Sequence, residues 1–238
     1  MIDLRQGRWQ DCLADTTCDL LLQDPPFSDR VHGGQRTGSS TRKTTLHYEP
    51  LTEADTHAFA ASWAPRVRWW ALTCCDHLAA RWWEAAWEAA GWYVFAPVAI
   101  VRLAPTPRMA GDGPTSALDY VVVARPRHRM PAERMGSRPG YYLQPGLGPT
   151  QGWVHPGAKS LNTMRAMVRD YSLPGDVVAD AYGGSFTTAL AAAIEGRRAV
   201  SCEKNPDTFA KGKARIDRGY TPQLFIDAPR GVQPSLLP

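Results

Sequence analysis

The chain has 238 residues, 44% of them hydrophobic and 21% charged, with a formal net charge of +4. That length and mix suit one α/β domain with a full core and exclude a disordered or repetitive chain. No apolar run is long enough to cross a bilayer, the N-terminus lacks a signal-peptide pattern, and so mild a positive charge permits a nucleic-acid partner without arguing for one.

In chain order, residues 2–4 make a short first strand. Residues 18–23 make a better one, an apolar run that stops at Asp24-Pro25-Pro26-Phe27, because two prolines can neither continue a strand nor enter a helix interior. Residues 28–50 read as a long mobile loop, of a length that tends to be functional. A helix at 53–63, a buried strand at 68–74 and a helix at 78–90 ending on Gly91 follow. Strands at 93–103, broken near Pro97, and 118–124 lie between two Gly/Pro-rich stretches, 104–117 and 125–152. A helix at 161–171 leads through Pro174-Gly175-Asp176 into a strand at 177–181, a Gly183-Gly184 turn, a helix at 186–195 and a strand at 199–202. Alternating strands and helices, most strands too apolar for a wet face, indicate a doubly wound, mostly parallel sheet.

The five cysteines form no CxxC pair and no metal-ligand cluster, so no metal is expected. Cys18, Cys74 and Cys202 fall in apolar runs and read as core, and a reduced, cytoplasmic setting follows. Trp69, Trp70, Trp82, Trp83 and Trp87 also read as core rather than as stacking platforms.

Two strand ends carry chemistry, since ligands in this fold bind outside the carboxyl ends of strands. After the strand at 177–181, Asp180, Tyr182, Gly183, Gly184 and Ser185 form a turn where backbone can approach a ligand and a helix then offers free N–H groups. Glu203, ending the next strand, is placed to accept from both hydroxyls of a ribose. At the other end, Asp24 and the Pro25 carbonyl form a pair of acceptors. The Pro25-Pro26 pair holds that carbonyl rigid with no competing N–H, and Phe27 adds a flat face for an extruded base. Such a turn can draw both hydrogens of an aromatic amine aside, so that its nitrogen lone pair is exposed for attack.

Together these pieces resemble the β-type S-adenosylmethionine-dependent DNA amino-methyltransferases, in which the catalytic turn precedes the cofactor turn. The resemblance spans most of the chain. It implies a Rossmann-like methyltransferase fold in circularly permuted motif order. It also implies a single domain over 1–238, with a short target-recognition insertion at 104–152 and a flexible tail at 228–238. Trp9-Gln10-Asp11-Cys12-Leu13 is similar to the family's Gly-Asp-Cys segment, which implies that Asp11 contacts the cofactor adenine. His155-Pro156-Gly157-Ala158-Lys159-Ser160 is similar to its His-Pro-x-x-Lys-Pro segment, which implies that His155, Lys159 and Ser160 lie beside the methionine moiety. Residues 118–123 are similar to the strand after the variable insertion. The family's cofactor turn reads Asp-Pro-Phe-x-Gly-x-Gly. Here Ala181 replaces the proline and Phe186 the last glycine, which leaves cofactor affinity open.

The resemblance implies transfer of a methyl group from S-adenosylmethionine to a base exocyclic amine in a short site of double-stranded DNA, as in restriction-modification. Adenine N6 is favoured by the Asp-led turn. Cytosine N4, or a catalytically silent DNA-binding relative, is the alternative. Arg30, Arg36, Arg42 and Lys43 in the loop, and Arg125, Arg127 and Arg129 with Arg134 and Arg138, are expected phosphate contacts. The short insertion suggests help from a homodimer. In the tail, Gln233, Leu236 and Leu237 resemble sliding-clamp-binding peptides, although an idle terminus with two chance leucines is the simpler reading.

Overall fold

The computed structural model describes residues 1–28, 51–103, 105, 113–128, 130–144 and 159–219. Its elements are β1 (Ile2–Gln6), α1 (Trp9–Cys12), β2 (Cys18–Gln23), α2 (Glu53–Trp63), β3 (Val67–Cys75), α3 (His77–Ala89), β4 (Tyr93–Val94), β5 (Val98–Arg102), β6 (Leu118–Arg125), β7 (Tyr141–Gln144), α4 (Leu161–Tyr171), β8 (Val177–Asp180), α5 (Thr187–Ile194), β9 (Arg198–Glu203) and α6 (Pro206–Asp217). The expected strand at 93–103 is split at Phe95-Ala96-Pro97, consistent with a proline that cannot donate to the ladder. Two elements escape the sequence pattern. One is the single turn α1, and the other is β7, a short edge strand inside a Gly/Pro-rich stretch.

One sheet runs β1-β9-β8-β2-β3-β6-β5-β7, with β4 paired to β6. The pairs β1–β9, β9–β8, β8–β2, β2–β3 and β5–β7 are parallel, while β6 is antiparallel to β3, β4 and β5. Among the described strands β6 alone therefore runs backwards, and the expectation of a mostly parallel sheet is met.

The strands alternate their side chains between two cores. Leu20, Leu22 and Val178 face α4 and α5, whereas Leu21, Ala71 and Ala179 face α2 and α3. Tryptophans fill both layers as expected: Trp69 and Trp70 are buried on the first face, Trp83 and Trp87 on the second, and Trp82 is partly buried. Cys18, Cys74, Cys75 and Cys202 are buried free thiols. Helix starts are held by side-chain caps. Thr52 and Asp55 close a capping box at α2, Asp76 accepts from Leu78 and Ala79 at α3, and Asn205 caps α6.

Because β2 lies between β3 and β8, the chain leaves β2 toward one face of the sheet and leaves β8 toward the other. A crevice opens at such a switch point, outside the carboxyl ends of the two strands. Leu20 and Leu21 pair with Val178 and Ala179, so Asp24 and Asp180 emerge side by side at its mouth.

Candidate active site

The Pro-Pro turn is anchored on both flanks. The backbone N–H of Ser28 donates to Asp76 Oδ2 (2.7 Å), and Leu51 N–H donates to the Phe27 carbonyl (3.4 Å). Asp24 is partly buried and its Oδ1 accepts from Lys159 Nζ at 2.9 Å. The same ammonium lies 3.5 Å from Asp119 Oδ2 and 4.7 Å from the centroid of Phe27. Burial opposes the charge on Lys159, but Asp24 and Asp119 outweigh it and hold the ammonium above its usual range. The expected place of Lys159 is beside the cofactor's amino-acid end. The structure places its ammonium on the Asp24 turn, over the Phe27 ring.

Asp180 is fully buried, and burial pushes its carboxyl up to about 7. The Tyr182 N–H, donating to Oδ1 at 2.9 Å, and Thr188 work against this shift, while Asp24 and Glu203 add to it. Tyr182 stacks on Phe59, with ring centroids 5.7 Å apart. Glu203 accepts from Gly184 N–H (3.0 Å) and Asn205 N–H (2.8 Å), one on each carboxylate oxygen. A carboxylate has about four acceptor positions, so capacity for two ribose hydroxyls remains. Asp11 is exposed on α1, which sits against the same end of β9. Ser160 caps α4 by accepting from Thr163 N–H (3.1 Å), and Ser185 Oγ meets Thr187 Oγ1 (3.0 Å). Both serines are buried and occupied in structural bonds.

Phe186, the departure from the family's glycine pattern, has a place in the packing. It is the residue before α5, has a left-handed backbone (φ 58°), and is 0% exposed. A Cβ at Gly183 would lie 2.4 Å from its ring and one at Gly212 of α6 would lie 2.7 Å from it. The ring therefore fills the core between two glycines and packs edge-on against Phe209 at 5.6 Å. The conformation that glycine favours is kept, and the aromatic side chain is buried in the core. Among the described residues, a Cβ on Gly184 (φ +51°) would meet only the Tyr182 carbonyl, at 4.0 Å.

The basic cluster after β6 is corrected by topology. Because β6 runs backwards, Arg125 ends it at the amino edge of the sheet, roughly 20 Å along the strand from Asp119. Arg125 bonds the Pro126 carbonyl and Arg127 the Gly91 carbonyl, and both lie over Tyr93. Arg134 forms a fork on Asp176 (2.7 and 2.8 Å), and Arg138 covers Trp70 and Tyr171 while donating to the Asp170 carbonyl. These are fasteners at the end of the sheet away from Asp24, not neighbours of a base pocket. His155, Arg30, Arg36, Arg42, Lys43, Arg129, Gln233, Leu236 and Leu237 lie outside the described residues.

Two residues at the site have no counterpart among the expected ones. Asp119 is buried, and Arg102 holds both of its oxygens at 2.6 Å. The signal for them is an acid inside the apolar run Leu118-Asp119-Tyr120-Val121-Val122-Val123, since a buried charge requires a partner.

A doubly wound sheet with one reversed strand, an acid-led turn and a glycine turn flanking its switch point defines the class I, Rossmann-like methyltransferases. Residues 140–213 match the N6_N4_Mtase family model, described as DNA methylase. A DNA adenine methyltransferase of Escherichia coli K12, YhdJ, is 35% identical over 63 residues, which is 26% of this chain and 21% of that protein. The stretch matched is thus about a fifth of that relative's length. Among solved structures, the M1.HpyAVI–SAM complex superposes with a TM-score of 0.68 at 20% identity, covering 91% of this chain and all of the other. The cytosine-N4-specific PvuII DNA methyltransferase superposes at 0.66 with 15% identity, covering 92% of this chain and 88% of the other. Over residues 140–213 the chain is thus similar to the DNA methylases of that family model, and over most of its length it shares the fold of DNA methyltransferases.

Proposed function

We propose that the protein is a DNA methyltransferase that uses S-adenosylmethionine to methylate a base exocyclic amine, adenine N6 first. One observation carries this reading. The Asp24 turn and the Asp180-to-Ser185 turn open side by side on the same crevice, so that an amine acceptor and a nucleoside-type subsite face each other. Glu203, with spare acceptor capacity, suits the ribose. Gly184, uncrowded among the described residues, and exposed Asp11 near the end of β9 suit the rest of the adenosine. The cofactor supplies an electrophilic methyl group on a sulfonium.

The chain's own part is positioning. Asp24 accepts one amine hydrogen and the Pro25 carbonyl the other, which gives the nitrogen lone pair tetrahedral character. Phe27 offers its ring to an extruded base, with the Lys159 ammonium 4.7 Å from the ring centroid. Adenine is favoured by the Asp-led turn and by the adenine-specific relative, and the PvuII likeness keeps cytosine N4 as the second reading. The burial of Phe186 in the core supports an active enzyme over a silent relative.

The test is nucleoside mass spectrometry of DNA incubated with the protein and methyl-labelled S-adenosylmethionine. Labelled N6-methyladenine is expected. Labelled N4-methylcytosine moves the target to cytosine, and no labelled nucleoside in DNA of mixed sequence overturns the proposal.

A further inference from the structure

Four charges of alternating sign cross the carboxyl end of the sheet: Asp24 after β2, Lys159 before α4, Asp119 on β6 and Arg102 on β5. The steps are 2.9 Å, 3.5 Å and 2.6 Å. The side chains of Lys159 and Asp119 are 3% and 5% exposed, so neither charge is shielded by water and each depends on its neighbours. Arg102 is 36% exposed and closes the outer end. Lys159 thus has two anions competing for one ammonium, and the Phe27 ring beneath it.

We propose that Asp119, oriented by Arg102, is a positioning residue for the transfer reaction: by drawing on the Lys159 ammonium it tempers the hold of that ammonium on Asp24, and so leaves the carboxylate able to take an amine hydrogen. Neither residue needs to touch the base or the cofactor. With Asp119 neutralised, Lys159 has one anionic partner near it and settles onto Asp24. The catalytic acceptor then keeps its place but is engaged more tightly. Arg102 acts one step further out by orienting Asp119 with a two-oxygen grip, which makes its influence weaker. This inference rests on the role proposed above for Asp24.

The test uses the full chain with Asp119→Asn and Arg102→Gln. In single-turnover transfer, Asp119→Asn should lower the rate constant at least tenfold, with S-adenosylmethionine affinity and KM for DNA unchanged within twofold. The acid limb of its pH–rate profile should move to lower pH, since a negative neighbour of Asp24 is gone. Arg102→Gln, at the partly exposed end where folding is least at risk, leaves Asp119 to Lys159 alone and should keep the rate constant within twofold of the unmodified protein. Acetic anhydride labelling, read by peptide mass spectrometry as Lys159 against exposed Lys204 in the same molecules, gives a measure independent of activity. The ratio should rise at least threefold in Asp119→Asn and fall in Arg102→Gln, where Asp119 is left to Lys159 alone. If the unmodified protein transfers no methyl group, the functional reading fails, and the labelling ratio still decides whether Asp119 holds Lys159. Unchanged rates and labelling in both variants overturn the proposal. So does a rate loss matched by an equal loss of cofactor affinity.

Discussion

The two ends of the sheet use the same residue types for opposite purposes. At the amino end, Arg134 and Asp176 close a two-bond fork with side chains 12% and 9% exposed, and Arg138 spends its donors on three carbonyls. Burial works against the Asp176 carboxylate, yet Arg134 and the Leu173 N–H overcome it and hold it below the usual range. Arg134 and Asp176 are fully engaged with each other. At the carboxyl end Lys159 is shared between two acids, Asp180 is held near neutrality, and Glu203 keeps acceptor positions in reserve. Saturated charge stabilises a fold, whereas shared or spare charge is what a ligand can engage.

Substitutions can break this contrast. The largest expected effect is Phe186→Ala, which empties the space between Gly183 and Gly212 and should lower stability by about 3–5 kcal/mol in denaturant unfolding. A cost below about 1 kcal/mol would mean that the ring is not core. Arg134→Ala should cost about 3 kcal/mol by stranding Asp176, and methyl transfer measured well below the melting temperature should be unaffected. A kinetic defect there would mean that the amino end is not purely structural.

Asp24→Asn should reduce single-turnover transfer about a hundredfold while leaving the melting temperature near that of the unmodified protein, because an amide oxygen can still accept from Lys159. Asparagine is the better probe than alanine, which would also strip a partner from a buried ammonium. Glu203→Ala should weaken S-adenosylmethionine binding by about 2 kcal/mol in calorimetry, with DNA affinity unchanged. Equal affinity would return Glu203 to capping the glycine turn.

The gentlest test is a titration. Asp180 titrates at about 7 in the folded protein, against 3.8 for an ordinary aspartate. The folded protein therefore holds a proton that the unfolded chain has released. Its contribution to stability is greatest below about pH 4 and declines as pH rises toward 7. Comparing melting temperatures of the protein and Asp180→Asn across that window should show this part of the slope vanish in the variant.

Much of this is legible in the sequence for local reasons. Pro25-Pro26 ends β2 wherever the chain goes next, and the periodicity of residues 161–171 gives α4 to the residue. The two functional turns are strand ends, and strand ends are marked by their own prolines and glycines. What stays hidden is set by relations across the sheet. Nothing near Arg125 reveals that β6 runs backwards, so neighbours in sequence read onto the wrong edge. The contact of Lys159 with Asp24 spans 135 residues. Phe186 could point either way from its sequence alone, although a glycine inside α6 is a usable hint. Gly212 costs about 1 kcal/mol relative to alanine in a helix, and such a residue usually marks a close approach.

The joining of Phe27 to Leu51, with Ser28 tied to Asp76, has an evolutionary consequence. Both stems of the intervening segment are set by the domain itself, independently of what the segment contains. Doubling such a connection adds only about 0.6 kcal/mol of closure entropy, little against the stability of a domain. Insertions, deletions and wholesale exchange between Phe27 and Leu51 are therefore cheap for the scaffold. A lineage could graft new sequence at that point without retuning the Asp24 turn next door.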